Sequence, residues 1–186
     1  MLDVRGECPV SVCVCLCVTA RCHVEVLSYT SYGKGCHGSY VKLNGTAIWY
    51  SKSHRPNCTG VDTPGSFRGT NIHLINPFTC SRIEFKVFDT WELGDDESNK
   101  LHAYLDKVDD FAVITGHSFD EALRNLKSNA HAALLRVGVD VSDIQQGGSF
   151  AFVTQKSTNK TVLSKVLTMT ESKKNPGTVS VMITGT

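Results

Sequence analysis

Arg68 and Trp91 are the side chains whose type and setting best suit recognition chemistry. Arg68 lies between a polar loop and the start of a strand, followed by Gly69. A guanidinium there offers a planar fork of donors to a carboxylate or to hydroxyls. Trp91 follows Phe88-Asp89-Thr90 at a strand end, where an indole face can stack on a sugar. The competing reading makes Trp91 a core residue and Arg68 an ordinary ion-pair partner. His117 and Asp120 stand close together at a strand-to-helix transition, within reach of a hydrogen bond, but capping alone accounts for such residues there. Gly33-Lys-Gly-Cys-His-Gly38 spells a dinucleotide fingerprint, yet a hairpin follows it, not the helix whose N-terminus would bind pyrophosphate. It is read as a glycine-rich turn held by Cys36. The seven histidines include no H-E-x-x-H arrangement, and no G-x-S-x-G or P-loop occurs. The expectation is a chain with no catalytic residues, no metal and no cofactor.

The eight cysteines are unevenly placed: five fall in the first 22 residues and none follows Cys80. Pro9 to Ala20 is apolar and uncharged, too short to span a membrane and suited to the apolar region of a signal peptide. Cleavage after Ala20 would leave residues 21–186 as one domain. The alternation of Val12, Val14, Leu16 and Val18 with Cys13, Cys15 and Cys17 is also that of a buried strand. Loss of 1–20 leaves Cys22, Cys36, Cys58 and Cys80. An even number in an oxidising compartment implies two bridges, with three pairings open. The nested pairing Cys22–Cys80 with Cys36–Cys58 is favoured because it closes the strands inferred below. The spacings lack the close ligand pairs of a zinc site. Acceptor sequons at Asn44, Asn57 and Asn159 agree with secretion.

These residues need a scaffold to position them. Of the 186 residues, 41% are hydrophobic and 20% charged, a globular balance. A formal net charge of +1 leaves no electrostatic footprint for nucleic acid, and there is no polybasic run for an anionic membrane. Alternation predicts strands over 23–30, 69–76, 82–90 and 178–184, and β-rich character over 161–170. Asn44-Gly45 separates two β-type runs and predicts a hairpin. Residues 51–67 read as a long loop. Leu101, Tyr104, Leu105 and Val108 recur at helical spacing, behind an acidic first turn. A short apolar strand is expected over 111–115. Ser118-Phe-Asp-Glu121 matches a capping box, predicting a helix through Ala122, Leu123 and Leu126 and on through 130–137 to a stop at Gly138. A strand is expected over 149–155. The order predicts an α+β fold with mixed sheets or a sandwich, and helices outside.

Four short motifs resemble the interleukin-like EMT inducer family (ILEI, or PANDER). They are Phe67-Arg68-Gly69-Thr-Asn71-Ile-His-Leu-Ile-Asn76, Phe88-Asp89-Thr90-Trp91, Asp120-Glu121-Ala122 and Gly148-Ser149-Phe150-Ala151-Phe152-Val153, in the family's order. The resemblance runs from about Val24 to Gln155. It implies a β-sandwich-like α+β domain flanked by helices, secreted or lumenal, and acting as a cytokine-like factor or as an accessory domain that binds glycan without catalysis. It matches Arg68 and Asp120 to a polar ligand pocket. Gln146-Gly147-Gly148 stands where family members commonly carry an arginine, which removes one bidentate contact. The expected partner is an extracellular protein receptor or a glycan.

Overall fold

A computed structural model describes residues 21–28, 39–50, 68–119, 122–144, 147–156, 160–167 and 177–184, giving backbone placement alone for 160–167 and Thr184. The expected leader 1–20, Cys36, Cys58, Asn57, Asn159, Asp120 and Gln146 lie outside the described residues.

The elements run β1 (Arg21–Ser28), β2 (Tyr40–Leu43), β3 (Thr46–Tyr50), β4 (Gly69–Asn76), β5 (Ser81–Phe88), α1 (Gly94–Lys107), β6 (Val113–Phe119), α2 (Ser128–Arg136), β7 (Ser149–Gln155), β8 (Lys160–Leu167) and β9 (Gly177–Thr184). They form a four-stranded sheet, β3-β2-β1-β9, and a five-stranded sheet, β5-β4-β6-β7-β8. The α+β sandwich is present. Its sheets, expected as mixed, are antiparallel in every described pairing. The reason is that α1 carries the chain across β4, so that β5 and β6 flank it, both antiparallel to it. The long α2 connection leaves and re-enters the sheet at one end, so β7 returns antiparallel to β6.

Alternation in β1 places Cys22, Val24 and Val26 inward. They meet Ile75, Val113, Ala151 and Val153 of the other sheet, with Val41, Trp49 and Val179, in an inter-sheet core. The opposite face of the five-stranded sheet presents Ile72, Leu74, Ile114, Phe150 and Phe152 to Leu101 and Leu105 of α1 and Ala130, Ala133 and Leu134 of α2. With both faces covered, β6 is buried at every position and β4 and β7 at all but the last.

Local signals explain the turns. Asn44 and Gly45 take φ of 48° and 81°, the pair of left-handed residues that a two-residue hairpin favours. Gly138 ends α2 with φ 86°, while its own N–H and that of Val139 donate to the carbonyls of Leu135 and Leu134, both at 2.9 Å. The helix expected to open at Ser118 does not start there. Ser118 belongs to β6, paired with Thr70, and its hydroxyl lies 3.0 Å from that of Ser28 and accepts the Phe150 N–H at 3.0 Å. The ladder to β4 and β7 overrides the local capping preference, and α2 begins only at Ser128.

The Cys22–Cys80 bridge is formed, as the nested pairing requires. It ties β1 of one sheet to the β4–β5 turn of the other.

Candidate functional site

The strand ends at one edge of the five-stranded sheet converge on Arg68 and Trp91. Gly69 makes this possible. Its φ is 102°, and a Cβ on it would lie 2.1 Å from the Phe88 carbonyl oxygen, so only glycine fits. The close approach brings the residue before β4 against the residue after β5. Arg68 then donates from Nε to Asp89 Oδ1 at 3.2 Å and from Nη2 to Asp89 Oδ2 at 2.8 Å, a bidentate fork. It also bonds the Glu92 carboxylate.

Trp91 is held by the bend that carries it. The buried Thr90 hydroxyl donates to the Ala122 carbonyl at 2.5 Å, and the Asn125 amide donates to the Trp91 carbonyl. Gly94 lets the segment at Asn125 approach, since a Cβ there would meet Asn125 Cβ at 2.8 Å. The Arg68 guanidinium carbon sits 4.0 Å from the indole centroid and that of Arg124 5.8 Å away. Both are within cation–π range. Trp91 is half-buried, so it is neither a core residue nor a free indole.

The charges of this cluster compensate one another. Partial burial pushes the Asp89 carboxyl upward, but the Arg68 fork and the backbone N–H groups of Glu92 and Trp91 outweigh it and hold the group below the usual carboxylate range. Asp89 and Glu92 raise the Arg68 pKa beyond its ordinary value, against the opposing pull of burial. Sequence reasoning found Arg68 and Trp91 but missed Asp89, Glu92 and Arg124 as their partners. Asp89 stands inside a motif singled out for its resemblance; nothing local marks Glu92 or Arg124. Gly147 and Gly148 are buried near the start of β7, with Gly147 at φ 80°.

A second group of polar side chains lies inside the sandwich. His73 on β4 and His117 on β6 are fully buried, with ring centroids 5.7 Å apart and planes 18° from parallel. Trp49 from β3 packs 4.4 Å from His117 and edge-on to His73, and Phe85 stacks on His73 at 4.4 Å. Among the described residues, no ring nitrogen of either histidine has a hydrogen-bond partner, nor has the Thr115 hydroxyl. Burial, helped by the positive charges of His117 and Arg82, lowers the His73 pKa to about 2, and burial lowers that of His117 to about 3. His117 therefore points into the inter-sheet core. No group of three or more potential metal ligands occurs among the described residues.

Residues 68–158 match the family described as Interleukin-like EMT inducer. The chain carries an ILEI domain. The match is narrower than the expected span from Val24. It covers β4 to β7 with both helices, and thus Arg68, Asp89, Trp91, Glu92 and Arg124. The four-stranded sheet lies outside it. No curated protein matches the chain. No helix among the described residues is long and apolar enough to cross a membrane.

Proposed function

We propose that this cytokine-like ILEI domain is secreted and acts by recognition, without catalysis, through the strand-end surface built on Arg68 and Trp91. The observation that carries the reading is the joining of Arg68 to Asp89, Glu92 and Trp91 in one partly exposed cluster. A tryptophan and an arginine held in fixed geometry are the residue types that dominate binding surfaces. Fixing them before binding lowers the ordering entropy a partner must overcome. Secretion is supported by the Cys22–Cys80 bridge, since such bonds persist in oxidising compartments, and by the exposed position of Asn44 at a tight turn.

The partner of the first reading is an extracellular protein receptor. Saturable binding of the secreted protein to intact cells is expected, weakened at least about tenfold in Trp91→Ala. Equal binding by that variant removes the proposed surface. A glycan is the second reading, favoured by the charge balance. Arg68 and Arg124 beside Trp91 balance the charges of Asp89 and Glu92, so the cluster offers donors, acceptors and an aromatic ring without net charge, which suits a neutral polyhydroxyl ligand. A glycan array with Arg68→Ala as control tests it. Silence of the wild-type protein, or equal signals from wild type and variant, discards the glycan. Peptide mapping of the secreted protein without reduction checks compartment and leader together. Intact Cys22–Cys80, a chain beginning at Arg21 and a glycan on Asn44 are expected; a free Cys22 thiol contradicts secretion through an oxidising compartment.

A further inference from the structure

The buried histidine pair has no part in the strand-end surface, yet it occupies the seam between the sheets. His73 and His117 are diagonal neighbours on the inner face of the five-stranded sheet, with His117 paired to Asn71 and His73 to Thr115. Trp49, from the four-stranded sheet, closes over both rings. An imidazolium in such a place has lost water and gained no acceptor. The charged groups around it make matters worse. From β5, Arg82 is the charged side chain that acts on His73, and it is positive. Glu84, also on β5, accepts a bond from Tyr104 of α1, on the helix side of the sheet. From β1, Glu25 alternates away from Val24 and Val26 and binds Tyr40 and Lys42 of β2 on the outer face. The inward residues of β7 and β9 are all apolar: Ala151, Val153, Val179, Val181 and Ile183. Among the described residues no carboxylate faces either ring.

We infer that His73 and His117 form a proton-operated latch between the two sheets: neutral rings hold the sandwich shut, and their protonation in an acidic compartment opens the seam at Trp49. The five-stranded sheet keeps its helix-side core in the open state, and the Cys22–Cys80 bridge keeps the released sheet attached. Opening uncovers the apolar inward faces of β1 and β2.

The direction follows from proton linkage. In the open state the rings titrate near 6.5, whereas in the closed state burial lowers them to about 2 and about 3. The closed state is therefore fully favoured above pH 6.5 and loses ground as pH falls below that value. Each histidine contributes about a tenfold shift toward the open state per pH unit, and both together about a hundredfold.

Hydrogen exchange on the full secreted chain, as protection factors from pH 7 to pH 4, tests the latch. Amides of β1 to β3 and β9 are expected to lose protection while β4 to β7 keep theirs. In His73→Phe/His117→Phe that loss should vanish or move at least about one pH unit lower. The inference is overturned if β1 and β9 stay protected throughout, if both sheets lose protection together, or if the double variant behaves as wild type. Should the double variant fail to fold, NMR titration of the wild-type imidazoles decides. Protonation coincident with loss of β1 protection supports the latch; protonation near pH 6.5 with the seam intact overturns it.

Discussion

The two faces of the five-stranded sheet are built from different chemistry. Toward the helices it presents Ile72, Leu74, Ile114, Phe150 and Phe152. The threonines on that side are bonded, Thr70 to Thr90 and Thr154 to the Val137 carbonyl. Toward the second sheet, the same strands present Ile75, Val113 and Val153, but also His73, Thr115 and His117, whose polar side-chain atoms lack partners among the described residues. The helix-facing core lies mostly within the ILEI match, whereas the sheet that covers the other face lies outside it. The difference separates a core that is self-sufficient in apolar burial from a seam that depends on neutral rings and a covalent tie.

Damage to the helix side should have the largest effect. Phe152→Ala deletes a fully buried ring stacked near Phe150. A loss of about 3–5 kcal/mol is expected in denaturant unfolding. It should abolish both sheets together, because the helix-side core underlies the whole domain. Cys22→Ser with Cys80→Ser attacks the seam instead. The bridge closes a sequence separation of 58 residues, and its removal should cost about 2–4 kcal/mol. Here the first amides to lose protection should be those of β1 and β9. If β4 and β6 exchange as early, the seam is no weaker than the helix side. Gly116→Ala is a smaller probe. Its Cβ would lie 2.5 Å from the Phe152 ring and 2.8 Å from Ile72 Cδ1. Overpacking of this kind should cost about 1–3 kcal/mol by thermal unfolding.

The elements of both sheets and the Cys22–Cys80 bridge were largely legible in the sequence, and the side chains that meet in the seam were not. Helical spacing at Leu101, Tyr104, Leu105 and Val108, alternation along 69–76 and 82–90, and the Asn44-Gly45 turn are signals within one segment, and each element formed. Ser118 shows where such signals mislead. Its capping-box pattern is local, but pairing to Thr70 and bonding to Ser28 are long-range and outweigh it. The histidine pair has the same difficulty. His73 and His117 meet only because β6 lies beside β4, a choice that no pattern near either residue encodes. At the candidate site, Arg68 could be picked out by its place before a strand, and Trp91 by its place after one. That Asp89 and Glu92 would clamp the guanidinium depends on Gly69 drawing two strand ends together, which appears only once the pairing of β4 with β5 is known.

Arg68→Ala should have the smallest effect on stability and the most selective effect on binding. The Arg68 and Asp89 side chains are about a quarter exposed, at 27% and 29%, and Glu92 is more open still at 61%. Pairs so accessible are screened by water, and their loss costs about 0–1 kcal/mol. Removing the guanidinium leaves Asp89 with its backbone donors, including the Glu92 N–H at 3.2 Å, so that carboxylate is not stranded. Trp91, in contrast, loses the cation 4.0 Å from its ring centroid and becomes free to turn. Partner binding should therefore fall by about tenfold or more while the unfolding midpoint barely moves. Arg68→Lys separates the two contributions of the residue: it keeps the charge beside Asp89 but loses the planar fork, so it should restore stability and not binding. If Arg68→Ala instead costs more than about 2 kcal/mol, beyond the range of exposed pairs, the cluster is a structural clasp between β4 and β5 and the strand-end surface must be sought elsewhere.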